Sequence, residues 1–246
     1  MEQNQKASRL GRALDTSLAA KFGEIAAVFG AAALIMVALL PLAGRNPLAG
    51  QGVIWLANVA MLVMVWLGLR VRGQGWEHLG LSFRFAGARL ALGAVLRSIV
   101  VFVAAVVAFL VPTIILGTIL GRPEQADMSG YDSLRGNLPL FLLSLAGVYV
   151  VSSFGEEVIY RGFLMHRLAE MGSGRKAAWR LAVVVSAVVF GLVHFAWGPV
   201  GIVQTTFMGL ALAISYLVLG RRLWPLILAH AYMDTLLIVQ MYLGPS

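Results

Sequence analysis

The sequence predicts an all-α, polytopic transmembrane bundle of about seven spans, with an eighth possible, forming one membrane domain over residues 1–246. Three observations predict it. Hydrophobic residues make up 60% of the chain and charged residues 12%, where a soluble domain carries roughly 25% charged, and mean hydropathy is +0.86. Seven apolar runs are long enough for the roughly 20 helical residues that a bilayer requires. Finally, the basic residues fall in alternate connecting segments.

The runs lie near 25–43, 53–70, 98–120, 138–162, 181–197, 199–219 and 223–243. The first is longer than the roughly 7–15 apolar residues of a signal peptide, and six more follow, so it reads as a retained span. The third contains Pro112, which predicts a tilt or kink. The fifth is short, and only Gly198-Pro199 separates it from the sixth. No internal repeat or low-complexity segment is evident. Residues 72–90, with Trp76, Leu79, Leu81 and Phe83 among arginines, suit either an amphipathic segment on the membrane surface or an ordinary basic loop.

The tail before the first run, the segment after the second, the segment after the fourth and the segment after the sixth, taken with the run-end residues Arg70 and Arg161, hold sixteen of the nineteen Lys and Arg residues. The other segments hold three: Arg45, Arg122 and Arg135. Positive charge is retained on the cytoplasmic side during insertion, so the N-terminus is expected inside and the C-terminus outside. The net charge of +8 is then a topology signal, and no nucleic-acid partner is expected. With no cysteine, disulfides, thiolate metal sites and a cysteine nucleophile are excluded together.

Within the apolar runs the ionisable residues are few: Glu156, Glu157, Arg161, His194, His230 and Asp234. A charged group at mid-membrane costs about 2.5–3.5 kcal/mol or more, and such groups face a bundle interior or a wet cavity. Three runs contribute them, so one shared polar site is the economical explanation. Glu157 and Arg161, Phe190 and His194, and His230 and Asp234 are each spaced i, i+4, on one helical face. Gly155, Gly162 and Gly191 beside them allow helices to approach closely. Each has a structural alternative: a Glu157–Arg161 ion pair, an interhelical bond from His194, a His230–Asp234 pair or proton relay, and plain packing for Phe190. As a set they suit amide hydrolysis: a carboxylate as general base toward water, a histidine sharing its proton, and a second histidine donating to the oxyanion. Tyr149, Tyr160, Trp197 and Trp224 need no role beyond the membrane interface, and His78 and His166 are assigned none.

The segments EEVIYR (Glu156–Arg161), FGLVH (Phe190–His194) and HAYMD (His230–Asp234) fit EExxxR, FxxxH and Hxxx[N/D]. In this order, in separate spans, they resemble the CPBP family, which comprises type II CAAX prenyl endopeptidases, bacteriocin-processing and immunity-associated proteins, and abortive-infection proteins. The resemblance covers residues 138–243, the expected catalytic core. It implies an all-helical intramembrane glutamic endopeptidase in which Glu156 and His194 activate water and His230 and Asp234 form the oxyanion site. Glu157 and Arg161 would support the site, and no metal would be needed.

One position departs from the CAAX enzyme, which has asparagine where this chain has Asp234. An ionised aspartate accepts hydrogen bonds and does not donate them. Asp234 is then protonated, orients His230, or binds something else. The departure keeps a zinc alternative open, because His194, His230, Asp234 and Glu156 could supply three ligands and leave a water position. The HExxH signature of many zinc proteases is absent. The depths also disagree. The run boundaries put Glu156 two turns from the cytoplasmic end of its span and His194 ~20 Å deep, a mismatch on the order of 10 Å. A protruding fourth helix, a tilt, or a fifth helix starting below the surface would each remove it.

Three functions are carried forward. The first is an endopeptidase acting on a peptide or membrane-anchored protein near the cytoplasmic side. The second is a non-enzymatic immunity or regulatory protein that binds a peptide or partner helix. The third is a proton-coupled transporter using Glu156 and Asp234, which the missing repeat disfavours. Short loops point to a prokaryotic cytoplasmic membrane. Nothing in the residues reads a prenyl group or the oligomeric state.

Overall fold

The computed structural model describes residues 8–44, 46–82, 87–120 and 129–244. Helix α1 (Arg9–Thr16) is short, and α2 (Leu18–Ala43), α3 (Pro47–Val71) and α4 (Ala88–Leu120) follow. Next come α5 (Leu138–Met171), α6 (Lys176–Leu192), α7 (Gly198–Val218) and α8 (Trp224–Leu243). Among the described residues there is no strand.

The starts follow local chemistry. The Asn46 side chain accepts from the Leu48 and Ala49 amides at 3.0 and 3.2 Å with Pro47 in the first turn, and Asn137 accepts from the Leu140 amide at 3.2 Å. Such caps satisfy amides that lack an intrahelical partner. Helix α4 continues through Pro112.

Among the described residues six helices, α2, α3, α4, α5, α7 and α8, are long and apolar enough to cross a membrane. The run expected at 181–197 forms α6, whose 17 residues end at Leu192. His194 therefore lies in the turn after the helix. A single-turn 3₁₀ helix (Phe195–Trp197) and Gly198, at φ +72°, lead into α7. The positive φ supplied by Gly198 lets the sixth run start directly behind the fifth.

Helix α5 is central, touching α3, α6 and α8, while α2 pairs with α3, α4 with α7 and α8, and α6 with α7. Over Tyr149–Leu164 it widens into π turns, closed by the Met165 amide donating to the Tyr160 carbonyl. Val158, Ile159 and Phe163 in this stretch and Met165 just after it are almost completely buried, as are Leu212 and Tyr216 of α7 and Leu226 of α8. Large apolar side chains are exposed along α2 and α4, as expected of surfaces that face lipid.

In residues 72–82 the apolar side chains turn inward while Glu77, His78 and Ser82 stay exposed. Leu79 and Leu81 are buried, the Leu223 amide donates to the Gly80 carbonyl at 3.1 Å, and the Trp224 indole donates to Ser82 O at 2.6 Å. The apolar residues find better cover under the α7–α8 turn than at an interface. Phe83 and Arg84 lie outside the described residues. The four basic segments do gather at one end of the bundle. There Arg72 and Arg167 both bond Glu24, Lys21 reaches the Glu170 carbonyl at 3.5 Å, and Arg221 stacks on Trp179 at 5.1 Å.

Candidate functional site

The polar residues of α5 and α8 meet in the middle of the bundle. Oε1 of Glu157 accepts from Nη1 of Arg161 at 2.7 Å and from Nδ1 of His230 at 2.8 Å. Glu157 and Arg161 are fully buried and His230 nearly so. With Nδ1 held in this way, Nε2 of His230 faces Oε2 of Glu156 at 3.9 Å and Oδ1 of Asp234 at 3.8 Å. The hydroxyl of Ser152 lies 3.4 Å from the same nitrogen. Asp234 accepts from the Ser153 hydroxyl at 2.7 Å through Oδ2. The side chains of Glu156 and Asp234 keep 15% and 14% exposure, so these two carboxylates form the accessible edge of the cluster and Glu157 its floor.

The second wall is α6. Phe190 is completely buried. Its ring lies 4.8 Å from that of His194 and 6.3 Å from that of His230, and the Arg161 guanidinium sits 4.4 Å above it. Arg161 also donates to the Gly209 carbonyl at 3.3 Å, which fastens α5 to α7. His194 donates Nδ1–H to the Phe190 carbonyl at 2.7 Å. A nitrogen facing a carbonyl must carry the proton, so the neutral ring keeps its lone pair on Nε2.

All seven residues singled out in the sequence thus border one region. The i, i+4 pair Glu157–Arg161 forms. In the other pairs the contacts differ from a simple reading of spacing: His230 is oriented by Glu157 across helices, and Asp234 touches it at 3.8 Å. Ser152 and Ser153 were not singled out. Their one available signal is a position four residues before the two glutamates, on the same face.

The depth mismatch disappears. Helix α5 continues to Met171, so Glu156 lies 15 residues from its end, and His194 lies 18 residues from Lys176, where antiparallel α6 begins. Counted from the same end of the bundle the two residues lie at similar heights, because the fourth helix runs on past the boundary that hydropathy gave it. At 34 residues it is roughly 50 Å long against roughly 30 Å of hydrocarbon.

The helices meet where glycine permits. A Cβ on Gly191 would come within 2.7 Å of the Ile202 carbonyl and would also strike the Thr206 hydroxyl, while one on Gly155 would press Leu62 Cδ1 at 3.2 Å.

As a donor set for a metal, Glu156 and Asp234 approach His230 Nε2 from two sides at 3.9 and 3.8 Å. As an acid–base set, the region holds two partly accessible carboxylates, an imidazole fixed by a buried carboxylate, and a second imidazole with a free lone pair.

No curated protein and no solved structure matches the chain. Residues 138–236 match the family model described as type II CAAX prenyl endopeptidase Rce1-like. The matched segment runs from the start of α5 to Leu236 in α8 and contains EEVIYR, FGLVH and HAYMD together. Over that segment the chain is similar to this family, and its long apolar helices are those of an integral membrane protein.

Proposed function

We propose that this protein is an intramembrane glutamic endopeptidase that hydrolyses a peptide bond with water activated by Glu156 and His194, on the cytoplasmic side of a prokaryotic membrane. The observation that carries the reading is the pairing of a buried, doubly bonded Glu157 with a partly accessible Glu156 whose Oε2 has no hydrogen-bond partner among the described residues. Two adjacent glutamates then have different tasks, one fixing His230 and the other free to take a proton.

In the proposed reaction Glu156 removes a proton as the water oxygen bonds to the carbonyl carbon, and Nε2 of His194 accepts the second water hydrogen as a hydrogen bond. Charge develops on the carbonyl oxygen, where Nε2–H of doubly protonated His230 donates to it. Glu157 favours that form of the ring by accepting from Nδ1. The C–N bond then breaks, and Glu156 returns its proton to the departing amine. Asp234, tied to Ser153, takes no direct part in holding the oxyanion. It supports the imidazolium electrostatically at 3.8 Å. No step requires a metal. An open apolar groove of about 230 Å³, lined by Val59, Leu62, Val63, Trp66, Trp76 and Phe154, lies between α3 and α5, its nearest member in the chain two residues before Glu156. It supports entry of an apolar stretch of a peptide or membrane-anchored protein.

The test is Glu156→Gln in purified, reconstituted protein, with comparative peptidomics of cells carrying each form to find the substrate. Cleavage should fall about 10²–10⁴-fold with the shape of the site preserved. Cleavage that survives the change sinks the mechanism. A wild-type protein that binds candidate peptides but cuts none of them moves the assignment to a regulatory binding protein, and loss of cleavage on chelation that zinc restores moves it to a metalloprotease.

A further inference from the structure

Away from the cluster around Glu156, a second group of metal-ligating side chains lies at the basic end of the bundle. We propose that His78, His166 and Glu170 bind a divalent transition-metal ion, zinc in the first instance, which ties the segment between α3 and α4 to the end of α5. One ring nitrogen from each histidine and one carboxylate oxygen of Glu170 lie within 4.8 Å of one another. Nε2 of His78 is 3.4 Å from Oε1 of Glu170, matching the ~3.4 Å edge of a tetrahedron whose metal–ligand bonds are about 2.0–2.2 Å. The two imidazole rings stand 5.5 Å apart at 61°.

The outer contacts are those of a built site. Arg167 holds Oε2 of Glu170 at 2.6 Å and leaves Oε1 for the ion. Tyr216 spends its hydroxyl proton on the Leu79 carbonyl at 2.7 Å. At the 2.9 Å contact with His166 its oxygen must therefore accept from Nε2–H, which places the neutral ring's lone pair on Nδ1. Such partners fix the tautomer and orientation of ligating histidines. The positive charge of Arg167 is offset by Glu24, which it bonds through both Nε and Nη2, and Arg221 is turned onto Trp179. His166 is 7% exposed and walled by Trp179, whereas His78 and Glu170 keep 36% and 28% side-chain exposure, which leaves a way in. Two nitrogens and one oxygen suit zinc, with water or chloride in the fourth position. The ion would sit about ten residues along α5 from Glu156. It would therefore stiffen the support of the site without meeting substrate.

The test uses tag-free, full-length protein in detergent, stripped with chelator, loaded with zinc chloride and desalted. One zinc per chain is expected, with a raised melting temperature, and cobalt in place of zinc should give the visible absorption of a four-coordinate site. His78→Ala, at a partly exposed position, and Glu170→Gln should each weaken binding about 10–100-fold or more. Glu156→Gln should leave binding unchanged. Zinc content no higher in wild type than in His78→Ala would overturn the proposal. So would zinc that leaves with Glu156→Gln and stays with His78→Ala, because the ion would then belong to the intramembrane cluster.

Discussion

One carboxylate oxygen, Oε1 of Glu157, accepts from Arg161 and from His230 at once, and the rest of the cluster is arranged around that double acceptance. Replacing Glu157 by Gln keeps the shape but leaves Arg161 as an uncompensated buried cation. A loss of about 3–5 kcal/mol is expected, read as a large fall in melting temperature in detergent, and it should be much greater than the loss from Glu156→Gln. At Ser153 the expected effect is smaller. Ser153→Ala deprives Asp234 of its 2.7 Å donor and should cost about 1.5–3 kcal/mol, the range for a hydrogen bond to a charged group. The charged members of the site were legible in the sequence because ionised groups in apolar runs are expensive and so declare themselves. Ser152 and Ser153 were not, because a hydroxyl costs little in a helix and carries no such signal. The partner of His230 was hidden for another reason: spacing names neighbours on one helix, and the partner lies on a different one.

At the scale of the elements, the π turns of α5 and the early end of α6 bring the motifs into register. Sixteen consecutive residues, Tyr149–Leu164, adopt the wider turn, a form that is rare and often found at functional sites. Helix α6 stops two residues before His194, so the imidazole is carried on a turn that can lean toward Phe190. Close approach of α6 to α7 at Gly191 holds that turn. Gly191→Ala should therefore cost about 1–3 kcal/mol by overpacking against the backbone at Ile202. It should also lower the turnover rate more than substrate binding, because it displaces His194 while leaving the groove by Phe154 untouched. A variant with unchanged melting temperature and turnover would show that the approach is loose. The run boundaries in the sequence missed both features. Hydropathy reports which residues prefer lipid, and it is silent on where a helix widens or where its hydrogen bonds stop.

For the whole molecule, the gathering of the basic segments at one end agrees with the alternation of charge along the chain. Because the protein has no cysteine, single cysteines can report its orientation. Ser173→Cys, exposed between α5 and α6, should react with a membrane-impermeant thiol reagent only after the cytoplasmic face is opened. Ser133→Cys, exposed at the opposite end, should react in intact cells. The reverse pattern would overturn the expected topology. The same basic end is fastened by Glu24 of α2, which bonds Arg72 beyond α3 and Arg167 on α5. Burial, with Arg167 nearby, lowers the proton affinity of Arg72, and Glu24 opposes that effect. Glu24→Gln leaves Arg72 with Asp15 at 3.8 Å and Arg167 with Glu170 at 2.6 Å. It should loosen α2 and α3 from α5 at a cost of about 1.5–3 kcal/mol, the range for a hydrogen bond to a charged group, measurable as faster proteolysis of the loops at that end.

The sequence by itself determined that the chain lives in lipid, that it folds as helices, and which few side chains must share a polar site. Each of these follows from the cost of taking polar groups out of water, and that cost is a local property of composition and spacing. Only the tertiary structure decided which glutamate is the fixed one, how Glu156 and His194 reach comparable depth, and that residues 72–82 fold inward. Those outcomes depend on distances between helices far apart in the chain, set by packing at glycines and by hydrogen bonds that cross from one helix to another.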